Sequence, residues 1–282
     1  MTQRSSSQKL EPFLLISPGL FFLILAFFMP ALNMLSLSII APESEGGGFS
    51  TVHYAKFFVD SFYTGIAQRT FRLSFLITAI CLISGFPLAM IIKRASSWLR
   101  TILILLIILP LMTSVVIRTF GWLVILGPGG MPSWILQNLG LINSQISLMH
   151  TETGIVIAMV QVLLPFMVLS ILSSLNRIGS DLEEAGRVMG ANFLRTILHI
   201  NLPLAMPGLI SGSLLVFALS ISSFITPSLV GGVRLPVMAG SIYQQVTGSF
   251  DWGFAAALSV LLLITTLILI VPYMKISRSK GH

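Results

Sequence analysis

The chain has 282 residues, of which 55% are hydrophobic and only 9% charged, with a mean hydropathy of +0.96. That composition lies far outside soluble norms. The net charge of +7 does not indicate nucleic acid, because the basic residues flank hydrophobic runs as membrane anchors do. The one cysteine, Cys81, sits in an apolar run, which excludes an internal disulfide and a thiolate metal site and reads as packing.

In chain order, residues 1–12 read as a polar tail and 13–40 as a first membrane helix, kinked or ended near Pro30. The run is too long for a signal-peptide core and lacks a small-residue cleavage site. Residues 41–69 form a polar connector with Gly46-Gly47-Gly48, and its aromatic segment Tyr54 to Tyr63 suits a membrane interface. A core of five spans is expected over 70–274. Its spans fall near 71–92, 101–126, 154–175, 204–230 and 254–273, with Pro110 in the second of these and Leu164-Pro165 breaking the third. Gly127 to Thr151 reads as a loop without Lys or Arg, and 275–282 as a second polar tail. The fold class is all-α and polytopic, with six spans.

Orientation follows from the basic residues. Arg4, Lys9, Lys93, Arg94, Arg100, Arg177, Arg187, Arg195, Lys275, Arg278 and Lys280 collect on one side, against Lys56, Arg69, Arg72 and Arg234 on the other. The positive-inside bias puts both termini in the cytoplasm.

One stretch is charged and helix-forming between hydrophobic runs: the elbow 180–203. Ser180 with Glu183 is a capping box, so a helix is expected from Asp181. Leu182, Ala185 and Met189 share one face, while Glu183, Glu184 and Arg187 occupy the other. Gly190 suits a left-handed helix end, Asn192 caps a second helix over Phe193 to Ile200, and Pro203 stops it.

Absences narrow the chemistry. No G-x-x-x-x-G-K-[ST] occurs to cradle ATP phosphates, and Gly127-Pro128-Gly129-Gly130 lacks the lysine. His53, His150, His199 and His282 show no metal-ligand spacing, and no catalytic triad can be placed at one depth. The sequence therefore gives no catalytic, cofactor or metal site and no nucleic-acid site.

Glu184-Ala185-Gly186, then Gly190, then Ile200-Asn201-Leu202-Pro203 resembles the signature of inner-membrane permease subunits of binding-protein-dependent ABC importers. Gly186 departs from the usual second alanine and loosens the helix by up to ~1 kcal/mol. Without the resemblance, an ordinary amphipathic loop helix has the same pattern. Ile117 to Trp122, Leu163 to Met167 and Ser223 to Gly232 are similar to the spermidine/putrescine branch, in its B-type subunit, which pairs with a second and different permease.

The resemblance implies a type I importer permease in the bacterial inner membrane. Its implied partners are a second permease, two cytoplasmic ATPase subunits holding ATP and Mg, and a periplasmic or lipid-anchored solute-binding protein. The elbow is implied to be the coupling helix, with Leu182, Glu183, Glu184, Ala185, Arg187, Met189 and Gly190 at the ATPase. Alternating access follows, driven by ATPase closure.

Breaks in a membrane helix are tolerated only where backbone is buried in protein or faces water. Arg118, Trp122, Pro165, Phe224, Thr226 and Pro227 are on that ground candidates for the pathway and its outer gate. Arg118 is expensive in lipid unless it faces a cavity, a partner or the interface; it either structures the gate or is locally paired. A polyamine is the expected solute, with an aminophosphonate or another amine as the alternative, since no Asp or Glu lies in mid-membrane. A secondary transporter would want intramembrane titratable groups, and a non-transporting scaffold leaves the proline breaks unexplained.

Overall fold

The computed structural model describes residues 11–40 and 48–279. Among these the chain is helical, with α1 over Glu11–Ser38, α2 over Val52–Val59 and α3 over Ser61–Arg94. α4 follows over Ser97–Ile108, α5 over Val115–Leu126, α6 over Met131–Asn138 and α7 over Glu152–Leu175. The elbow comprises α8 (Ser180–Val188), α9 (Phe193–Thr196), a π turn (Ile197–Asn201) and α10 (Leu202–Leu204). Then come α11 (Met206–Ile221), α12 (Ile225–Gly231), α13 (Met238–Thr247) and α14 (Trp252–Ser279). Among the described residues, five stretches are long and apolar enough to cross a membrane, rising to seven if two bent pairs each count as one span.

Several expected boundaries shift for physical reasons. α1 is helical on both sides of Pro30. α3 starts ten residues before the expected 71, because Arg69 and Arg72, which look like connector residues, belong to a helical extension and pair with Glu152. The expected span 101–126 is not one helix: a tight turn at Leu109–Met112 and the extended Thr113 and Ser114 separate α4 from α5. Conversely α7 runs unbroken through Pro165, whose ring is buried among neighbouring helices. A single lost hydrogen bond is tolerated there because packing supports both flanks. The loop 127–151 contains α6, and the expected span 204–230 divides into α11 and α12 at Ser222–Phe224.

The chain divides into two compact units. One comprises Met1–Asp60 with Ile242–Leu262. In it the Ser38 and Tyr54 hydroxyls lie 2.8 Å apart, and Lys56 Nζ is 3.0 Å from Asp251 and 4.1 Å from the Phe254 ring centroid. Asp251 also caps α14 by accepting from the Phe254 amide at 3.0 Å.

The other unit comprises Ser61–Ser241 with Leu263–His282 and is built on α3, α7 and α11. Leu73, Ile77, Cys81, Met159, Met167, Ile171 and Val216 are buried between them. Small residues let the helices approach closely: a Cβ on Gly208 would meet Ser174 Oγ at 2.6 Å, and one on Gly212 would meet Met167 Sδ at 2.9 Å. The Ser170 and Ser211 hydroxyls bond across this seam at 2.8 Å.

Candidate functional site

Two regions of the larger unit carry the residues singled out by sequence. The first is the elbow. α8 is strongly amphipathic and ends as expected: Gly190 has φ +81°, and the Ala191 amide donates to Gly186 O at 2.9 Å, closing a Schellman loop. Asn192 caps α9 by accepting from the Arg195 amide at 2.8 Å. Gly186 is buried, and a Cβ there would meet Ile200 Cδ1 at 2.8 Å. A methyl at Gly186 would therefore have to displace only the flexible tip of Ile200.

The second elbow helix differs from the expected Phe193 to Ile200. Pro203 has no N–H to give to His199, and the backbone widens into the π turn over Ile197–Asn201 instead of stopping. Pro207 likewise has none for Pro203 O. The chain turns by 65° at Ala205, which is where the elbow ends and α11 begins.

Leu182, Glu184, Ala185, Met189 and Gly190 are exposed, Met189 at 81%. Val188 and Leu194 extend the exposed apolar surface, the kind of patch that marks an interaction site. Glu183 departs from this group. Its carboxylate turns toward the end of α3, 2.7 Å from Lys93 Nζ and 3.3 Å from Arg94, and its side chain is only 13% exposed. Arg94 also stacks on Phe193, 4.6 Å from the ring centroid. The expected helix start at Asp181 lies one residue late, since α8 begins at Ser180. The Ser180 hydroxyl of the capping box and the Arg187 side chain lie outside the described residues.

The second region gathers the chain breaks. Arg118 on α5 donates to Pro110 O, which also accepts from the Thr113 amide and hydroxyl, and, at 3.0 Å, to Thr113 O, both in the turn after α4. That is local pairing within the break. Trp122, one turn on, donates its indole N–H to Gln161 Oε1 on α7 at 3.2 Å. Both line a hollow of about 470 Å³ together with Leu106, Pro110, Val160 and Pro165. Proline spacing places Leu106 and Gln161 four residues before Pro110 and Pro165, so their carbonyls lack the usual helical donor.

α12 wedges between α5 and α7. Thr226 is buried, with its hydroxyl 3.1 Å from that of Thr119, and Pro227 is buried beside it, while Phe224 forms the start of the helix. The His150 amide donates to Val230 O at 2.9 Å, and its ring abuts Gly232, where φ is +61°. Trp122 and Pro165 therefore share one hollow, Thr226 and Pro227 anchor the wedge, and Arg118 braces the break.

Sequence reasoning missed Gln161, Thr119 and the Arg69–Arg72–Glu152 cluster. A lone amide four residues before a proline in an apolar run was the available signal for Gln161. Nothing local pairs residues 83 apart. Among the described residues, no three His, Cys, Asp or Glu side chains converge as metal ligands.

Comparison with known proteins agrees with these features. The chain is 30% identical over 268 residues to the spermidine/putrescine transport system permease protein PotB of Haemophilus influenzae, covering 93% of each. It is 31% identical over 259 residues to the PotB of Escherichia coli, covering 91% of this chain and 94% of that one. The molybdenum transport permease ModB of Mycobacterium bovis is 31% identical over 198 residues, covering 69% and 72%. In fold, the chain resembles a bacterial ABC transporter involved in alginate import, with TM-score 0.79, 16% identity and 98% of both chains covered. The MetNI methionine ABC transporter follows at TM-score 0.58 and 17% identity, covering 76% and 94%. Residues 85–275, which hold the elbow and the breaks alike, match the family described as binding-protein-dependent transport system inner membrane component. With that match over two thirds of its length, the chain belongs to this family: it is a multi-pass permease subunit of an ABC importer with the type I fold.

Proposed function

We propose that this permease forms half of the translocation pathway for a polyamine of the spermidine/putrescine class. The observation that carries the reading is the 30–31% identity to PotB proteins over more than nine-tenths of the chain. The working complex adds a second, different permease, two cytoplasmic ATPase subunits and a periplasmic or lipid-anchored binding protein. ATP and Mg sit on the ATPase subunits, and this chain binds no cofactor of its own. Both termini and the elbow face the cytoplasm. Residues 1–12 and 275–282 are its tails there, 13–40 its first span, 41–69 the periplasmic connector and 70–274 the permease core.

The elbow is the contact for the ATPase. Leu182, Ala185 and Met189 supply an apolar face, with Glu184, Arg187 and the turn at Gly190 beside it; Glu183 fixes the elbow to α3 instead. An exposed ion pair contributes only ~0–1 kcal/mol, so the fit of the apolar face outweighs charge. ATPase closure moves the elbow and switches access to the hollow beside Trp122, Gln161 and Pro165. There a polyamine's methylene segments meet apolar walls, and its ammonium groups meet amide and backbone oxygens. Thr226, Pro227 and Phe224, with Arg118 bracing the neighbouring break, form the outer gate.

Reconstitution with the ATPase subunits, second permease and binding protein tests this. Labelled spermidine or putrescine uptake is expected, and Glu184→Lys combined with Met189→Asp abolishes ATPase co-purification while membrane insertion persists. Full uptake in that variant, or uptake without an ATPase bound, overturns the reading.

One observation favours another amine or an aminophosphonate: among the described residues, no carboxylate lines the hollow. Competition of uptake by these solutes, beside calorimetry on the binding protein, separates the two.

A further inference from the structure

One helix touches both regions. α3 is continuous from Ser61 to Arg94, about 50 Å at 1.5 Å per residue, and so extends beyond a hydrocarbon layer of about 30 Å. At its last turn Lys93 and Arg94 hold Glu183 of α8, and Arg94 stacks on Phe193 of α9. Near its opposite end the Thr70 hydroxyl accepts from the Met238 amide at 2.9 Å, and Arg69 donates to Pro236 O at 3.2 Å. Pro236 and Met238 bracket the 82° bend between the α12 segment and α13. Thr70 and Met238 are both buried, so this bond is shielded from water.

The alternative routes are interrupted. α11 is cut off from the elbow by the 65° bend at Ala205 and from α12 by the break at Ser222–Phe224. Along the chain, α7 is joined to the elbow by the non-helical turn after Leu175. Pro87 costs α3 one hydrogen bond, but Met167 packs directly beside Gly85, and Ala89, Met90 and Ile92 beyond it are buried. α3 is therefore braced across its weakest point.

We infer that α3 is the rod that carries elbow displacement to the bent α12–α13 segment, with Arg69 and Thr70, in the first third of the helix, as the positioning residues there. This rests on the coupling role proposed for the elbow. A displacement of α8 pulls the last turn of α3 through the Glu183 contacts. The same rigid helix then shifts Pro236 and Met238, and with them the α12 wedge packed against both α5 and α7.

The test uses the complete transporter with Cys81 replaced by alanine and single spin labels at Arg195→Cys on the elbow or Val233→Cys beside the bend, both exposed positions. In the otherwise unaltered chain both labels change lineshape on adding ATP. Thr70→Val is expected to leave basal ATP hydrolysis and the Arg195→Cys response intact. It should silence the Val233→Cys response and lower uptake about tenfold, within the span of a single allosteric coupling; Thr70→Ser restores both. Arg69→Met gives the same pattern and serves if Thr70→Val fails to assemble. A Val233→Cys label that still responds, or uptake within about twofold of the unaltered transporter, overturns the rod. An elbow label silent toward ATP in the unaltered chain overturns the elbow reading, and the rod with it.

Discussion

Glu183 and Lys93 lie 90 residues apart in sequence yet meet at 2.7 Å, and their side chains are only 13% and 15% exposed. Such a pair lies between the exposed case, which contributes almost nothing, and the buried case, where removing one partner strands a charge. Glu183→Gln is expected to cost about 1–3 kcal/mol, seen as a lower thermal midpoint of the purified permease. A double-mutant cycle with Lys93→Met should be non-additive. Additivity within about 0.5 kcal/mol would show that the two groups do not interact.

The α7–α11 seam has no room for a side chain at Gly208, where a Cβ would meet Ser174 Oγ and Ser170 O at 2.6 and 2.7 Å. Gly208→Val should destabilise by about 1–3 kcal/mol through overpacking. Gly186→Ala meets only the flexible tip of Ile200. There a gain in helix propensity of up to ~1 kcal/mol opposes the crowding, so its effect should be far smaller. Thermal unfolding of both variants checks the ranking; equal losses would contradict it.

Arg118 donates to the carbonyls of Pro110 and Thr113 and so ties α5 to the turn at the α4–α5 break. Arg118→Ala should lower uptake with unchanged basal ATP hydrolysis, and Arg118→Lys, with one donor group in place of a fork, should recover it only partly. Unchanged uptake in the alanine variant would remove the bracing role.

Asp251 links pH to the α2–α14 contact. Burial raises its pKa, but the Phe254 amide and Lys56, with His53 adding, outweigh this and hold the carboxyl below its ordinary value. A carboxylate whose folded pKa is depressed stabilises fully above its unfolded pKa, about 3.9, and loses that contribution as pH falls through the folded value. The difference in thermal midpoint between the unaltered chain and Asp251→Asn should thus shrink as pH falls below about 4. A difference that does not shrink there would refute the assignment.

Much of the chain was legible because its signals are local. The elbow's turn at Gly190 and cap at Asn192 follow from single residues with special backbone or capping chemistry, and the structure places both as expected. The helix ends were less legible. Pro165 looked like a break but is carried through by packing, whereas the break expected at Pro110 is present: α4 ends at Ile108 and the chain runs extended at Thr113 and Ser114 before α5. Proline removes one hydrogen bond everywhere, and neighbouring helices decide whether that loss breaks the helix.

Composition and hydrophobic runs by themselves determined an all-helical membrane protein with a capped elbow, because burial in lipid and helix capping depend on residues within a turn or a span of one another; that it is a permease came from the elbow's resemblance to the importer family. Only the tertiary structure decided that Glu183 faces Lys93 and Arg94, that Gln161 meets Trp122, and that Arg69 and Thr70 reach Pro236 and Met238. These contacts join residues 39 to 168 positions apart, and their pairing is set by which helices pack together.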